Sequence, residues 1–360
     1  MEVSVNKTRS LSKKKGFLFW VIALTILLAG TVVGAIAIGS TYIEPGEVYK
    51  VLLNKLTNGA VFSGVGEVMT QNIIWEIRFP RVLLGAICGS GLAICGVLMQ
   101  CVTKNPIAEP YILGISSGAS CGAVATIVLG GVASLGINSI TAGAFVGSMV
   151  SGVLVFAIGT QMGKTTSTTR LVLTGMAIST IFSALTNLLI YSAKNSNQAK
   201  NALFWTIGSL GGAKWDVLLI PFIVLILVII VSFVMSKSLD ILLLGDDSAI
   251  ILGINVKLIK SIILILSTLL TATLVAITGA IGFIGLVVPH ICRTIAGNDH
   301  KKLIVLSSLI GAIFLILSDV LARGLFPPIE IPIGIITALA GGPFFLYLIS
   351  KKNYSFGGRD

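Results

Sequence analysis

Again and again this chain runs for about 20 residues without an Asp, Glu, Lys or Arg; residues 17–39, 82–103, 171–193, 217–236 and 331–350 are the plainest cases. A helix of that length crosses a hydrocarbon core about 30 Å thick. It also satisfies its own backbone hydrogen bonds, which lipid cannot do. Residues 111–163 are uncharged for 53 positions, too many for one crossing, and divide at Gly130-Gly131 and 135–139 into two. Residues 261–292, 32 uncharged positions, are short for two full crossings and a turn. The turn falls near residues 278–282, and the second span continues past Arg293. Residues 303–322 complete a set of ten spans, so the expected fold is an all-α integral membrane protein with both termini on one side.

Charged residues are 11% of the chain and hydrophobic residues 55%, against about 25% charged in soluble domains. This excludes a soluble domain of any size. The net charge of +11 points to membrane orientation rather than nucleic acid, because of where it sits. Lys7, Arg9, Lys13, Lys14 and Lys15 precede the first span and hold the N-terminus in the cytoplasm. The ten-span topology then places 17 of the 25 basic residues inside. Trp75, Trp205 and Trp215 fall at outer boundaries and Trp20 near the inner one, where amphipathic indoles are favoured. Residues 1–16 form a basic cytoplasmic start, 17–351 the ten-helix membrane unit, and 352–360 a cytoplasmic tail expected to lack structure. Ala35-Ile36-Ala37 mimics a cleavage site, but the apolar run before it exceeds an ordinary signal core, so the first span is read as retained.

Several chemistries are excluded. The five cysteines form no C-x-x-C and two histidines are too few for a histidine metal site, so neither a disulfide framework nor a metal centre is expected. Both histidines are read as structural. Residues 159–165 resemble a phosphate-binding loop but have three residues between the glycines instead of four, and an apolar span precedes them. No catalytic, cofactor or nucleotide site is assigned to this chain. Ion-coupled carriers place ionisable groups at membrane depth. Here Asp319, towards the outer end beside Arg323, is the nearest candidate, so an external energy source fits better. Glycine pairs four apart, among them Gly85/Gly89, Gly114/Gly118/Gly122 and Gly143/Gly147, are read as close helix packing within the bundle.

Three segments break the apolar pattern. Arg78-Phe79-Pro80-Arg81 opens one span, which ends in a loop from Gln100 through Asn105-Pro106-Ile107-Ala108-Glu109-Pro110. Residues 279–293 carry three glycines and Pro289 at membrane depth. The third segment joins Ser318-Asp319, Arg323 and the run from Glu330 through Pro332, Gly334 and Thr337 to Gly342-Pro343. The patterns R-x-P-R, Q-x-x-x-x-N-P-x-A-x-P, G-x-I-G-F-I-G-L-x-x-P-H-x-x-R and E-x-P-I-G-x-x-T-A closely resemble the FecCD family of ABC-importer permeases, from about Arg78 to Lys351.

That resemblance implies a type II ABC importer permease with ten helices per subunit. Its partners would be a second permease copy or paralogue, two cytoplasmic ATPases that bind ATP and Mg, and an external substrate-binding protein at a bacterial plasma membrane. It implies that Arg78, Arg81 and Arg323 receive acidic residues of the binding protein; the residues alone also allow an i,i+4 pair of Arg323 with Asp319. It assigns ATPase coupling to the inner segment 237–260, with Gly245, Asp246, Asp247, Ala249, Leu252 and Gly253 as its contacts. It points to a cytoplasmic gate at Asn105, Ile107, Thr168 and Thr169, although the threonines also suit a helix cap. Phe204 and Trp205 would line the outer mouth. The implied cargo is an iron chelate, siderophore or haem, with cobalamin as the alternative. An ion-coupled secondary transporter is the reading outside the family.

Overall fold

The computed structural model describes residues 2–39, 42–62, 67–130, 138–159 and 168–350. Helix α1 spans Glu2–Ala37, beginning well before its apolar part at Gly16. The amphipathic α2 (Pro45–Leu56) and the short α3 (Val68–Asn72) lead into a π-helical turn, Ile73–Arg78, and the central α4 (Phe79–Thr103). Then come α5 (Ile115–Leu129), α6 (Asn138–Gly159), α7 (Thr168–Tyr191), the short α8 (Ser196–Ile207) and α9 (Trp215–Val234). Two short helices, α10 (Ser236–Leu242) and α11 (Asp246–Ile251), precede α12 (Val256–Thr278), α13 (Ile284–Ala296), α14 (His300–Gly324) and α15 (Ile333–Ser350).

Eight of these helices are long and apolar enough to cross a membrane, and α5 and α13 are shorter apolar helices that bring the number to ten. The long uncharged run divides after Leu129, and the 32-residue run breaks at Thr278, with its second part carrying past Arg293. The string 159–165 begins at the end of α6 and otherwise lies outside the described residues, as does the tail 351–360.

Helix α4 is the axis of the bundle, buried along almost its whole length. It can be enclosed this tightly because its glycines admit neighbouring backbones. A Cβ on Gly89 would run into the carbonyl of Gly311 in α14, and one on Gly96 into Gly285 in α13. Gly118 and Gly122 of α5 meet Gly147 and Gly143 of α6 in the same way. Where an apolar core offers no hydrophobic contrast with lipid, this closeness is the main source of helix association. The lipid-compatible exterior is apolar too, as the exposed Leu173, Met176, Ile181 and Leu188 of α7 show.

The crossing that ends in α13 is broken. Helix α13 has 13 residues and rises about 20 Å, less than the hydrocarbon thickness. Residues 279–283 therefore enter the bundle as irregular backbone, and side chains from elsewhere satisfy it. Glu109 Oε2 accepts the Phe283 N–H at 3.0 Å, the Tyr111 hydroxyl accepts the Ile281 N–H, and Gln100 Nε2 donates to Gly285 O at 3.0 Å. Phe283 itself adopts the left-handed region at φ 69°, a costly conformation for a residue with a side chain. Its ring lies against Gly341 of α15, where there is no Cβ to obstruct it.

Substituting Gly311 by Leu is expected to force α4 and α14 apart at about 1–3 kcal/mol, seen as a lower melting temperature of the detergent-solubilised protein. Gly30→Leu, at a position with nothing within 4 Å, leaves the melting temperature unchanged.

Candidate functional site

The polar side chains gather at the two ends of the bundle. At one end the π-helical turn sets the geometry. Pro80 has no N–H to offer and its ring crowds the preceding carbonyls, and the turn widens there so that the Phe79 N–H reaches Ile74 O. Arg78 then faces the end of α1. Its Nη1 donates to Ile36 O at 2.6 Å and Ala37 O at 3.1 Å. Arg323 of α14 donates to Ala35 O and Ile38 O, both at 3.0 Å. Two guanidinium groups thus satisfy four successive carbonyls at the C-terminus of α1, groups that an α-helix leaves without partners and that favour a cation.

Asp319 lies between the other charges. It accepts Arg81 Nε at 3.0 Å and pairs with Arg323 Nε at 3.0 Å, so the i,i+4 pair is present. Arg81 Nη1 also donates to Glu330 at 2.8 Å. None of the three arginines stands at the surface as an open fork. Arg78, Arg81 and Arg323 are 5%, 9% and 7% exposed, because the end of α1 and two carboxylates occupy them. Glu330, with half its side chain exposed, is the part of the cluster that faces outward.

Nearby, Trp215 Nε1 donates to Trp75 O at 2.9 Å and the two indoles pack with Phe79. Asn195 caps α8 by accepting the Gln198 N–H. Phe204 and Trp205 of α8 line a cavity of about 650 Å³ together with Gln198, Asn201, Thr126 and Ser209. Ile127 and Ile140 complete the apolar part of the lining, and none of the lining residues is ionisable.

At the opposite end, Gly245 (φ 119°) and Gly253 (φ 82°) provide the turns on either side of α11, conformations that an L side chain rarely adopts. Asp246 pairs with Lys104, the left-handed residue that ends α4, at 2.8 Å, and with Lys260 of α12 at 2.6 Å. Lys260 is 4% exposed, so this carboxylate neutralises a buried cation. Partial burial works to raise the Asp246 pKa, but the two ammonium groups outweigh it and hold the carboxyl below its usual range. Asp240 of α10 accepts the His300 N–H at 3.0 Å and lies 2.6 Å from His300 Nδ1.

Of the six residues expected to contact an ATPase, Asp247 and Leu252 are exposed, and Gly245 and Gly253 shape the turns. Asp246 and Ala249 face the bundle instead: Asp246 binds the two lysines, and Ala249 is fully buried in the main core. Leu244, Ile250 and Ile251, which the sequence reading did not single out, are 66%, 55% and 84% exposed and form an apolar ledge with Leu252.

The residues expected to form a gate lie on two separate segments. Asn105 Oδ1 accepts the Ile107 N–H at 3.1 Å, and Ile107 packs on Leu286, Val287 and Leu348. Thr168 is the first residue of α7, with its side chain outside the described atoms, and Thr169 is exposed. The sequence reading also missed Glu109 and Tyr111, whose contacts tie this loop to residues 279–283, and the buried Lys260. The available signals were Glu109 wedged between an apolar residue and Pro110, and a lone Lys on an otherwise apolar face. Among the described residues, no three His, Cys, Asp or Glu side chains come together as a metal site.

Removing the carboxylate in Asp319→Ala is expected to cost about 3–5 kcal/mol by leaving buried guanidinium charge uncompensated, whereas Glu330→Gln, half-exposed, costs about 1 kcal/mol or less; thermal denaturation in detergent measures both. The Asp246 pairs have a lowered folded-state pKa. Their stabilisation is therefore complete above the unfolded carboxylate value of about 3.9 and is lost as pH falls through the lower folded value. Hydrogen exchange of 236–251 is expected to stay slow down to about pH 4 and to accelerate below it, and Asp246→Asn to abolish that dependence.

A model of the FecCD transport family matches residues 24–351. An uncharacterised ABC transporter permease protein of Bacillus subtilis, YvrB, is 36% identical over 98% of both chains. The hemin transport system permease protein HmuU of Yersinia pestis is 37% identical over 91% of this chain and 94% of its own. The Fe(3+) dicitrate transport system permease protein FecD of Escherichia coli is 39% identical over 78% and 85%. A solved inward-facing structure, assigned to the metal-chelate type of ABC transporter, matches with a TM-score of 0.79 and 31% identity over 92% of this chain and 98% of that one. A ten-helix bundle matched over nearly its full length by transport permeases places this chain in the FecCD transport family, as a membrane permease subunit of an ABC importer.

Proposed function

We propose that this permease imports an iron chelate, a siderophore complex or haem, with the arginine-cluster end outside the cell and residues 236–251 in the cytoplasm. An external binding protein delivers the chelate to the face that Arg78, Arg81 and Arg323 hold in shape, and Glu330 with Arg81 is the part of that face open to contact. Phe204 and Trp205 line the entrance. The loop of Asn105 and Ile107, with Thr168 and Thr169, closes the cytoplasmic end. Two copies, or this chain and a paralogue, enclose the path.

The observation that carries this reading is the apolar ledge of Leu244, Ile250, Ile251 and Leu252. It sits on a segment that Asp246 holds to two membrane helices. A rigid apolar surface beyond the membrane-spanning helices suits a protein partner, and in this family's setting that partner is an ATPase subunit carrying ATP and Mg. The energy then comes from outside the chain, which agrees with an outer cavity lined without ionisable groups. The relatives name haem and ferric citrate as cargo. A cobalamin import permease of Halobacterium salinarum, 39% identical over 78% of this chain, supports cobalamin as the second reading.

The test is reconstitution in proteoliposomes with its partner ATPase and binding protein. Vanadate-sensitive, ATP-dependent uptake of haem or a ferric siderophore is expected; uptake of cyanocobalamin alone selects the second reading, and accumulation driven by a proton or sodium gradient without the ATPase overturns both. Replacing Ile251 and Leu252 together by Asp is expected to reduce ATPase copurification at least tenfold, about 1.4 kcal/mol or more of apolar contact.

A further inference from the structure

Asp240 and His300 form a contact that the proposed function does not use. Helix α14 needs no help at its N-terminus, because Asp299 already caps it by accepting the Lys301 N–H at 3.1 Å. A second carboxylate nonetheless arrives from α10 and takes both the His300 N–H and the ring Nδ1. The ring is 1% exposed, and its Nε2 is buried without a described partner. A half-satisfied imidazole is a costly way to fill space, so its packing value alone does not account for it.

The other end of α14 carries Asp319 and Arg323. These fasten it to Arg81 of α4 and to the end of α1. Between the ends, α14 lies backbone to backbone on α4 at Gly311 and Gly89, and Ser90 Oγ donates to Ser308 O at 2.8 Å. Helix α4 in turn ends at Lys104, which holds Asp246. The pair α4–α14 is therefore a close-packed unit, fixed to the arginine cluster at one end and to the α10–α11 segment at the other. Asp240 makes its attachment through α14, and Asp246 through α4.

We propose that Asp240 and His300 are positioning residues for coupling: they pin the α10–α11 segment to the α4–α14 strut, so that movement of that segment is transmitted to the arginine-cluster face and back. Neither residue touches ATP, the ATPase ledge or the cargo. The inference rests on reading the ledge of Leu244, Ile250, Ile251 and Leu252 as the ATPase seat, and the experiment separates the two.

The assay uses the complete transporter, with its ATPase and binding protein, in proteoliposomes. In Asp240→Ala, His300→Ala and the double variant, the ATPase copurifies as in wild type and basal hydrolysis stays within twofold. Hydrolysis per cargo imported rises about tenfold, and the double variant is no worse than either single, as expected for two residues acting as a unit. Asp240→Cys combined with His300→Cys is uncoupled in the same way, and bridging the two thiols with dibromobimane restores the wild-type ratio. Four of the five native cysteines are buried, and each single cysteine variant serves as the control for the fifth. The Cys pair also decides the matter where the alanine variants fail to assemble.

An unchanged ratio of hydrolysis to import in the alanine variants, or a bridge that restores nothing, overturns the pin and leaves the importer reading intact. Loss of ATPase copurification in Asp240→Ala also overturns it, because Asp240 would then act by direct contact. A wild-type complex that imports without hydrolysing ATP overturns the functional reading and this inference with it.

Discussion

In hydrocarbon an unpaired N–H or C=O group costs several kcal/mol, and side chains reaching between helices meet that constraint wherever this bundle departs from regular helix. Arg78 and Arg323 cover the last carbonyls of α1. Glu109, Tyr111 and Gln100 cover the irregular backbone around 279–285. Asp240 and Asp299 both serve the start of α14. These are the positions where a loop or helix end lies inside the protein, and each brings a polar side chain from a distant part of the sequence. The long-range order of the fold depends on those bonds as well as on apolar packing.

The same bonds account for the distribution of charge. The buried cations Arg81, Arg323 and Lys260 each have a carboxylate within 3.0 Å. Uncompensated, any of them would be intolerable at that depth. The cavity around Phe204 and Trp205 likewise has no ionisable lining group, and Ile127 and Ile140 add apolar surface to it. A cavity of that kind offers no charged group to hold a solute tightly. Transport through it needs work supplied from elsewhere, which agrees with a permease that operates with an ATPase.

Much of the architecture was legible in the sequence because the bilayer imposes a simple length rule. Uncharged runs gave the spans, and the run 261–292 gave the turn near 278–282 and a second span reaching past Arg293; that this second span is a short helix, α13, after irregular backbone was not legible. The division of the long run near Gly130 was legible for the same reason. The orientation of individual charged side chains was not. Arg78 and Arg81 sit three apart at a span boundary, a pattern that suits exposed docking forks and buried ties equally well. Only the π-helical turn before Pro80 and the nearness of the α1 terminus turn them inward. Asp246 and Asp247 both read as ATPase contacts in the sequence, whereas helical geometry points the first at Lys104 and Lys260 and leaves the second exposed.

Glu109 shows why such residues escape a reading by composition. In the sequence it is one carboxylate in a proline-rich loop and scores as surface. In the fold its loop returns into the bundle, and the carboxylate binds the N–H of a residue 174 positions later. The loop that holds Asn105 and Ile107 is thereby fastened to Phe283, and Phe283 to Gly341 of α15. A displacement of the loop cannot leave residues 279–283 in place without breaking a buried hydrogen bond, so the loop and the broken crossing must move together. The loop of Asn105 and Ile107 and the irregular backbone at 279–283 are, on this geometry, parts of a single mechanical element.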